Sequence, residues 1–102
     1  LLGIGLGAML GNQIGQQLDE RDRLMMGQSF QTALERAPDN QSSSWRNPNT
    51  GNSGYTIPTR TVVASNGTPC REFTQTVMIG GQSQQAYGRA CRMADGSWQI
   101  QR

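Results

Sequence analysis

The sequence predicts an α+β chain: a glycine-zipper helix, an amphipathic helix, then a small antiparallel four- to five-stranded β-meander stapled by a cross-strand disulfide. Three observations predict it. Glycine recurs every fourth residue near the start, an apolar stripe of helical period follows, and turn dipeptides then punctuate the second half at regular intervals. The predicted divisions are 1–18 for the zipper helix, 19–38 for the amphipathic helix, 39–54 for linker and turn, and 55–102 for the β domain.

Residues 1–18 read LLGIGLGAMLGNQIGQQL, with glycine at Gly3, Gly7, Gly11 and Gly15. A large apolar residue precedes each: Leu2, Leu6, Leu10 and Ile14, then Leu18. Residues four apart share a helix face, so the glycines form a groove and the large residues a ridge beside it. Leu6, Leu10 and Ile14 are the candidate packing contacts. Such small-xxx-small spacing lets a second helix approach closely. Each interior glycine costs about 1 kcal/mol relative to alanine, and close packing against another helix offsets that. The competing reading is a flexible glycine-rich tail. The apolar run ends at Gly11, short of the roughly 20 residues that span a bilayer. A chain opening on Leu1 rather than Met reads as processed or truncated, with any signal peptide or lipid anchor upstream.

Residues 19–37 read DERDRLMMGQSFQTALERA. Asp19 fits a helix N-cap, with Asp22 three residues on and Glu20 in the first turn. Met26, Phe30, Ala33, Leu34 and Ala37 make one apolar stripe, interrupted at Asp22 when traced back to Leu18. Pro38 ends the helix. One continuous helix from the zipper is the alternative; the capping signal favours a break near Asp19. Asp39 to Ser44 is polar, Trp45 begins a short strand, and Asn47–Asn52 is dense in turn formers. The glycosylation-like triplets Asn40-Gln41-Ser42 and Asn66-Gly67-Thr68 read as turns.

Asn66-Gly67, Gly80-Gly81 and Asp95-Gly96 are hairpin signals, placing strands at roughly 55–65, 69–79, 82–94 and 97–101. If Gly80-Gly81 is a two-residue turn, Cys70 faces Cys91, Glu72 faces Arg89, Phe73 faces Gly88 and Thr74 faces Tyr87. Opposed residues of this kind stabilise a sheet. The cysteine pair falls at a non-hydrogen-bonded site, where Cα atoms are about 4.5 Å apart, within reach of a disulfide. A bridge of this span contributes up to about 3 kcal/mol. A two-residue turn at Asp95-Gly96 would set Met93 opposite Trp98 and Cys91 opposite Ile100. One face then carries the cystine, Met78, Tyr87, Met93, Trp98 and Ile100. The other carries Phe73, Val77, Ile79, Ala86, Gly88 and Ala90, and the 19–37 helix or a partner covers it, unless the meander curls over itself.

Composition narrows the function. Among 102 residues there is no histidine and no lysine, and all nine positive charges are arginines. That removes histidine-based catalysis, histidine metal sites and lysine nucleophiles. The seven carboxylates include three at a helix start and none arranged as a catalytic pair. No catalytic, cofactor or metal residue is expected. A net charge of +2 without a basic cluster gives no nucleic-acid surface. Two cysteines read as a disulfide favour an oxidising compartment.

The zipper ending GNQIGQQLDERDR, then WRNPNTGNSG, PTRT, CREF and IGGQSQQAYGRACRMADGSWQI, together resemble the glycine-zipper outer-membrane surface antigens of Gram-negative bacteria, typified by the rickettsial 17-kilodalton antigen. The resemblance covers nearly the whole chain. It implies an exported lipoprotein of the outer membrane and periplasm, with a zipper at the membrane and a C-terminal β domain. It carries over no catalytic residue, and the lipid-bearing cysteine of that pattern is absent from residues 1–102. The expected function is a non-enzymatic envelope protein that packs through its zipper against other such helices, as a homo-oligomer or within an envelope complex. The alternative is a soluble periplasmic binding module of glycan, peptidoglycan or inhibitor type that uses a sheet surface of Tyr87, Arg89, Arg92 and Trp98.

Overall fold

The computed structural model describes residues 12–101. Helix α1 (Asn12–Gln17) is followed by a break and by α2 (Glu20–Arg36). Five strands follow: β1 (Ser43–Arg46), β2 (Ser53–Val63), β3 (Pro69–Ile79), β4 (Gln82–Arg92) and β5 (Trp98–Gln101). They form one antiparallel sheet in the order β1-β2-β3-β4-β5. Gly3, Gly7, Gly11, Leu6 and Leu10 lie outside the described residues. No helix among the described residues is long and apolar enough to cross a membrane.

The break falls where the capping signal puts it. Asp19 is extended, with φ −82° and ψ 179°. Its carboxylate accepts the Asp22 N–H at 2.7 Å, and the Asp22 carboxylate accepts the Asp19 N–H at 3.0 Å. This reciprocal capping box satisfies two backbone donors that a helix start otherwise leaves free. Ala37 is extended at the other end, as the residue before a proline must be.

The β3–β4 register is the one expected from a two-residue turn. Cys70 faces Cys91, Glu72 faces Arg89, Phe73 faces Gly88 and Thr74 faces Tyr87. Gly80 and Gly81 both take positive φ, 56° and 81°, as a type I′ turn requires. The Cys70–Cys91 disulfide is formed across a Cα separation of 4.0 Å. Replacing both cysteines by serine is expected to lower stability by about 2 kcal/mol, because the glycine turn already brings these strands together. A drop in the urea midpoint measures it.

The β4–β5 register differs from the expectation by one residue. Arg92, not Met93, faces Trp98; Cys91 faces Gln99, and Ala90 faces Ile100. The cause is Asp95. Its carboxylate accepts the backbone N–H of Ser97 at 2.9 Å, and only Gly96 of the pair has positive φ, 90°. The Gly96 N–H closes a turn on the Met93 carbonyl, and the Met93 N–H bonds the Ser97 carbonyl. The loop therefore holds three residues and ends in a glycine bulge. Asn66-Gly67 behaves the same way: Asn66 accepts the Thr68 N–H, and Gly67 has φ 87°. A one-residue shift turns every side chain to the other face, so Trp98 and Ile100 join Phe73, Val77, Ile79 and Ala90 instead of the cystine.

That second face is concave and α2 fills it. The helix touches β1, β2 and β5, so the sheet curls around it as a half-barrel. Met26, Phe30, Ala33 and Leu34 are buried, as are Trp45, Phe73, Val77, Ala90 and Trp98. Phe30 meets Phe73 edge to face, with ring centres 5.1 Å apart. Burying a side chain of this size contributes about 1.5–3 kcal/mol. Close approach is built in at Gly54, where a Cβ would lie 2.6 Å from the Thr76 carbonyl oxygen and 2.7 Å from Trp45 Nε1.

Two buried charges tie helix to sheet. Asp22, fully buried, accepts Asn47 Nδ2 at 2.8 Å, Thr50 Oγ1 at 2.9 Å and Asn52 Nδ2 at 2.8 Å, besides the Asp19 N–H. Arg71 points inward from β3 and donates to the Leu34 carbonyl at 2.8 Å and the Ala33 carbonyl at 3.3 Å. It also donates to Asp39 at 2.8 Å and Thr61 at 2.9 Å. These bonds satisfy helix-end carbonyls and place a cation at the negative end of the α2 dipole.

Candidate interaction surface

With the concave face filled, the convex face and the sheet edges are what the β domain presents. Strand alternation puts Tyr55, Ile57 and Val62 of β2 on the convex side. Thr74 and Met78 of β3, and Gln85 and Tyr87 of β4, share it. Met78 is 40% exposed and Tyr87 74% exposed. Arg46, Arg60 and Arg89 stand on this face with one carboxylate, Glu72, opposite both Arg60 and Arg89. The other described acids lie at the N-cap of α2, along it, just after it, or in the β4–β5 loop. The convex face is thus the basic side of the sheet.

The four residues singled out for a sheet surface are divided: alternation along β4 sets Arg92 on the face opposite Tyr87 and Arg89, and the one-residue shift turns Trp98 to that same face. Tyr87 and Arg89 stand on the convex side and are exposed. Trp98 and Arg92 face α2. Trp98 is 5% exposed, and its indole N–H donates to Glu35 Oε1 at 2.9 Å. Arg92 Nε donates to the same oxygen at 2.9 Å. The Arg92 and Trp98 hydrogen bonds, with the arginine charge, hold the Glu35 carboxyl below its usual range.

Gln31 completes this clamp and was not legible in the sequence. Its side chain donates to the Trp98 carbonyl and accepts the Trp98 N–H, both at 2.8 Å. It thereby copies what a neighbouring strand would do for β5. A glutamine three turns into an amphipathic helix gives no signal of such a role.

Among the described residues, hollows border the sheet. One, of about 550 Å³, lies between the β2–β3 and β4–β5 loops, with Cys70 and Cys91 beneath and Arg89, Met93 and Gln101 around it. Another, of about 440 Å³, lies between α2 and β1, against Met25, Thr32 and Trp45. Among the described residues no group of three or more His, Cys, Asp or Glu could hold a metal. The convex face and the sheet edges offer aromatic and aliphatic surface, arginine, amides and open backbone for contact.

Of the zipper residues, Gly15 and Ile14 are described. Ile14 packs against the core and Leu18 is 2% exposed within it. The Gly15 carbonyl accepts the Arg23 guanidinium at 2.9 Å across the break. The last ridge residues thus pack into the core that α2 and the sheet share.

A family model described as 17 kDa outer membrane surface antigen matches residues 32–99, from the middle of α2 into β5. The chain belongs to this family. The 17 kDa surface antigen of Rickettsia bellii (strain RML369-C) is 51% identical over 104 residues, which is 98% of this chain and 65% of that protein. Its counterpart in Rickettsia conorii (strain ATCC VR-613 / Malish 7) is 52% identical over 83 residues, 81% of this chain and 52% of that antigen. The Rickettsia prowazekii (strain Madrid E) antigen is 51% identical over 82 residues, 80% of this chain and 52% of its own. The chain therefore spans between about half and just under two thirds of these antigens. No solved structure matches.

Proposed function

We propose that this surface antigen is a non-enzymatic structural and interaction protein of the bacterial envelope. Its zipper helix packs against other zipper helices at the outer membrane, as a homo-oligomer or within a larger envelope complex, and it presents the disulfide-stapled β domain to the aqueous side. The observation that carries this reading is the seating of Ile14 and Leu18. They continue the sequence period of Leu6 and Leu10, and they pack into the core that α2 and the sheet share. A helix anchored in this way transmits its position to the domain it carries. The cystine supports export, and the family description supports the outer membrane.

The test is Gly7→Leu with Gly11→Leu, followed by measurement of particle size in detergent. Filling the groove is expected to break the assembly into smaller species. An unchanged size would reject the zipper role and favour the second reading, a soluble periplasmic module. The convex face, which no described residue covers and on which Tyr87 and Arg89 are exposed, favours that reading, as a glycan, peptidoglycan or inhibitor-type module.

A further inference from the structure

We propose that the edge of β4 that no described residue covers, Gln82–Tyr87, pairs antiparallel with the same edge of a second copy of this chain. The inference is separate from zipper packing, because it uses the sheet alone.

An exposed strand edge offers unpaired N–H and C=O groups, and natural sheets blunt such edges. Among the described residues, this sheet blunts three of its four. The outer side of β1 is short and abuts α2, whose Ser29 hydroxyl donates to the Ser43 carbonyl. The outer side of β5 is also short, and Gln31 occupies the Trp98 N–H and C=O. β2 is open beyond Thr56, where β1 ends. That stretch carries Pro58, a bulge between Pro58 and Arg60, and the Arg60 charge, and the Pro58 carbonyl accepts the Asn40 N–H.

The fourth edge has none of these devices. β5 covers β4 only from Arg89 to Arg92. Gln82–Tyr87 holds no charge and no proline, and its pairing with β3 runs without a register shift. Ile79 and Gln82 flank a two-residue turn and so form a hydrogen-bonded pair. Even-numbered residues of β4 therefore bond β3. Ser83, Gln85 and Tyr87 turn their N–H and C=O outward, as Arg89 and Cys91 do toward β5.

A second copy fits this notch better than an arbitrary strand. The notch is closed at one end by Gln101 and open at the Gly80-Gly81 tip. An antiparallel copy has the same length of free edge, so each copy's tip meets the other's β5. Pairing centred near Gln85 opposes Gln85 to itself and Ser83 to Tyr87. No like charges face each other, and the convex faces join on one side.

The experiment uses the whole chain in detergent, in the parent and in the Gly7→Leu/Gly11→Leu background, with sedimentation and amide exchange as readouts. Gln85→Lys with Tyr87→Lys puts facing cations on the edge at two exposed positions. Ser44→Lys, exposed on β1, controls for added charge. The lysine pair is expected to weaken self-association about tenfold or more, with Ser44→Lys leaving it unchanged. The outward amides of Ser83, Gln85 and Tyr87 are expected to slow with concentration in the parent and to stay fast in the lysine pair. Equal association of parent and lysine pair in both backgrounds would overturn the proposal. So would an equal loss with Ser44→Lys, or outward amides that exchange fast at every concentration. Because the edge is read in both backgrounds, failure of the zipper reading and failure of edge pairing appear as separate results.

Discussion

Asp22→Ala is expected to lower the stability of the chain by about 3–4 kcal/mol, read from urea unfolding through the buried tryptophans Trp45 and Trp98. The carboxylate is fully buried and accepts four hydrogen bonds. Its removal strands the amide hydrogens of Asn47, which is 1% exposed, and of Asn52, which is 7% exposed, and it cancels half of the capping box. Each buried donor left without an acceptor costs about 1–3 kcal/mol. The loop Asn47–Asn52 is then no longer fastened to α2. The near-isosteric Asp22→Asn separates charge and acceptor from shape. Whichever oxygen becomes NH2 meets an amide donor, because Asn47 faces Oδ1 and Asn52 faces Oδ2. The Asn47 amide is not free to flip, since its own oxygen accepts the Asn49 N–H. A loss of about 2–3 kcal/mol is expected from this variant. A loss below about 0.5 kcal/mol, the range of surface substitutions, would show that the four bonds do not hold the loop.

The same site sets the response to acid. Burial raises the Asp22 carboxyl, but hydrogen bonds from Asn52, the Asp19 backbone, Asn47 and Thr50 together outweigh it and leave the group below its usual range. A carboxyl lowered by folding contributes stability that is fully present above the unfolded value near pH 4. That stability is lost as pH falls through the folded value. Glu35, Asp39 and Asp95 are lowered as well, chiefly by hydrogen bonds from Arg92, Arg71 and Ser97 respectively, so all four act in one direction. With no histidine in the chain, the stability profile is expected to be flat between about pH 5 and 8 and to fall below pH 4. Asp22→Asn is expected to flatten the acid limb.

Legibility in the sequence followed the locality of the interactions. The helix start at Asp19 and the Gly80-Gly81 register were both readable, because each rests on contacts within a few residues or on a backbone need that glycine alone meets. The Asp95-Gly96 loop was misread by one residue. An aspartate that bonds the chain two residues on keeps its own φ negative, and a dipeptide pattern does not distinguish that from a type I′ turn. The consequence was large, since Trp98 and Ile100 turned to the concave face, where Arg92 already stands by alternation along β4, and Trp98 does not share a surface with Tyr87 and Arg89. Asp22 was half legible. Its place in the cap was visible, and so was its interruption of the apolar stripe. Its partners lie 25 to 30 residues away in a segment whose composition says only turn. An aspartate at an inward helix position is nonetheless a request for donors, and Asn47, Thr50 and Asn52 supply them. The two motifs LDERDR and WRNPNTGN are therefore two halves of one contact.

Arg71→Met is the other substitution expected to act strongly, by about 3 kcal/mol. The correct β3–β4 register already places residue 71 opposite Ala90, on the face that also carries Phe73 and Val77. An arginine there is 7% exposed and needs several acceptors at once. It finds them in the last turn of α2 and in Asp39. Methionine fills similar volume and keeps the apolar stem in place, so the loss measures the polar contacts. Two buried helix-end carbonyls lose a donor, and Asp39 loses its cation. Asp39 is 41% exposed and recovers hydration, and the Ala33 carbonyl keeps the Ala37 N–H, whereas the Leu34 carbonyl loses its donor in a buried place. Asp39→Ala is accordingly expected to cost clearly less than Arg71→Met. Arg71→Lys is expected to fall between the wild type and Arg71→Met, because an ammonium cannot span the carbonyls, Asp39 and Thr61 together. The ranking is read from urea midpoints, and amide exchange in the last turn of α2 locates the damage. If Asp39→Ala proved as harmful as Arg71→Met, the exposed ion pair, and not the capping of α2, would be what fastens the helix to β3.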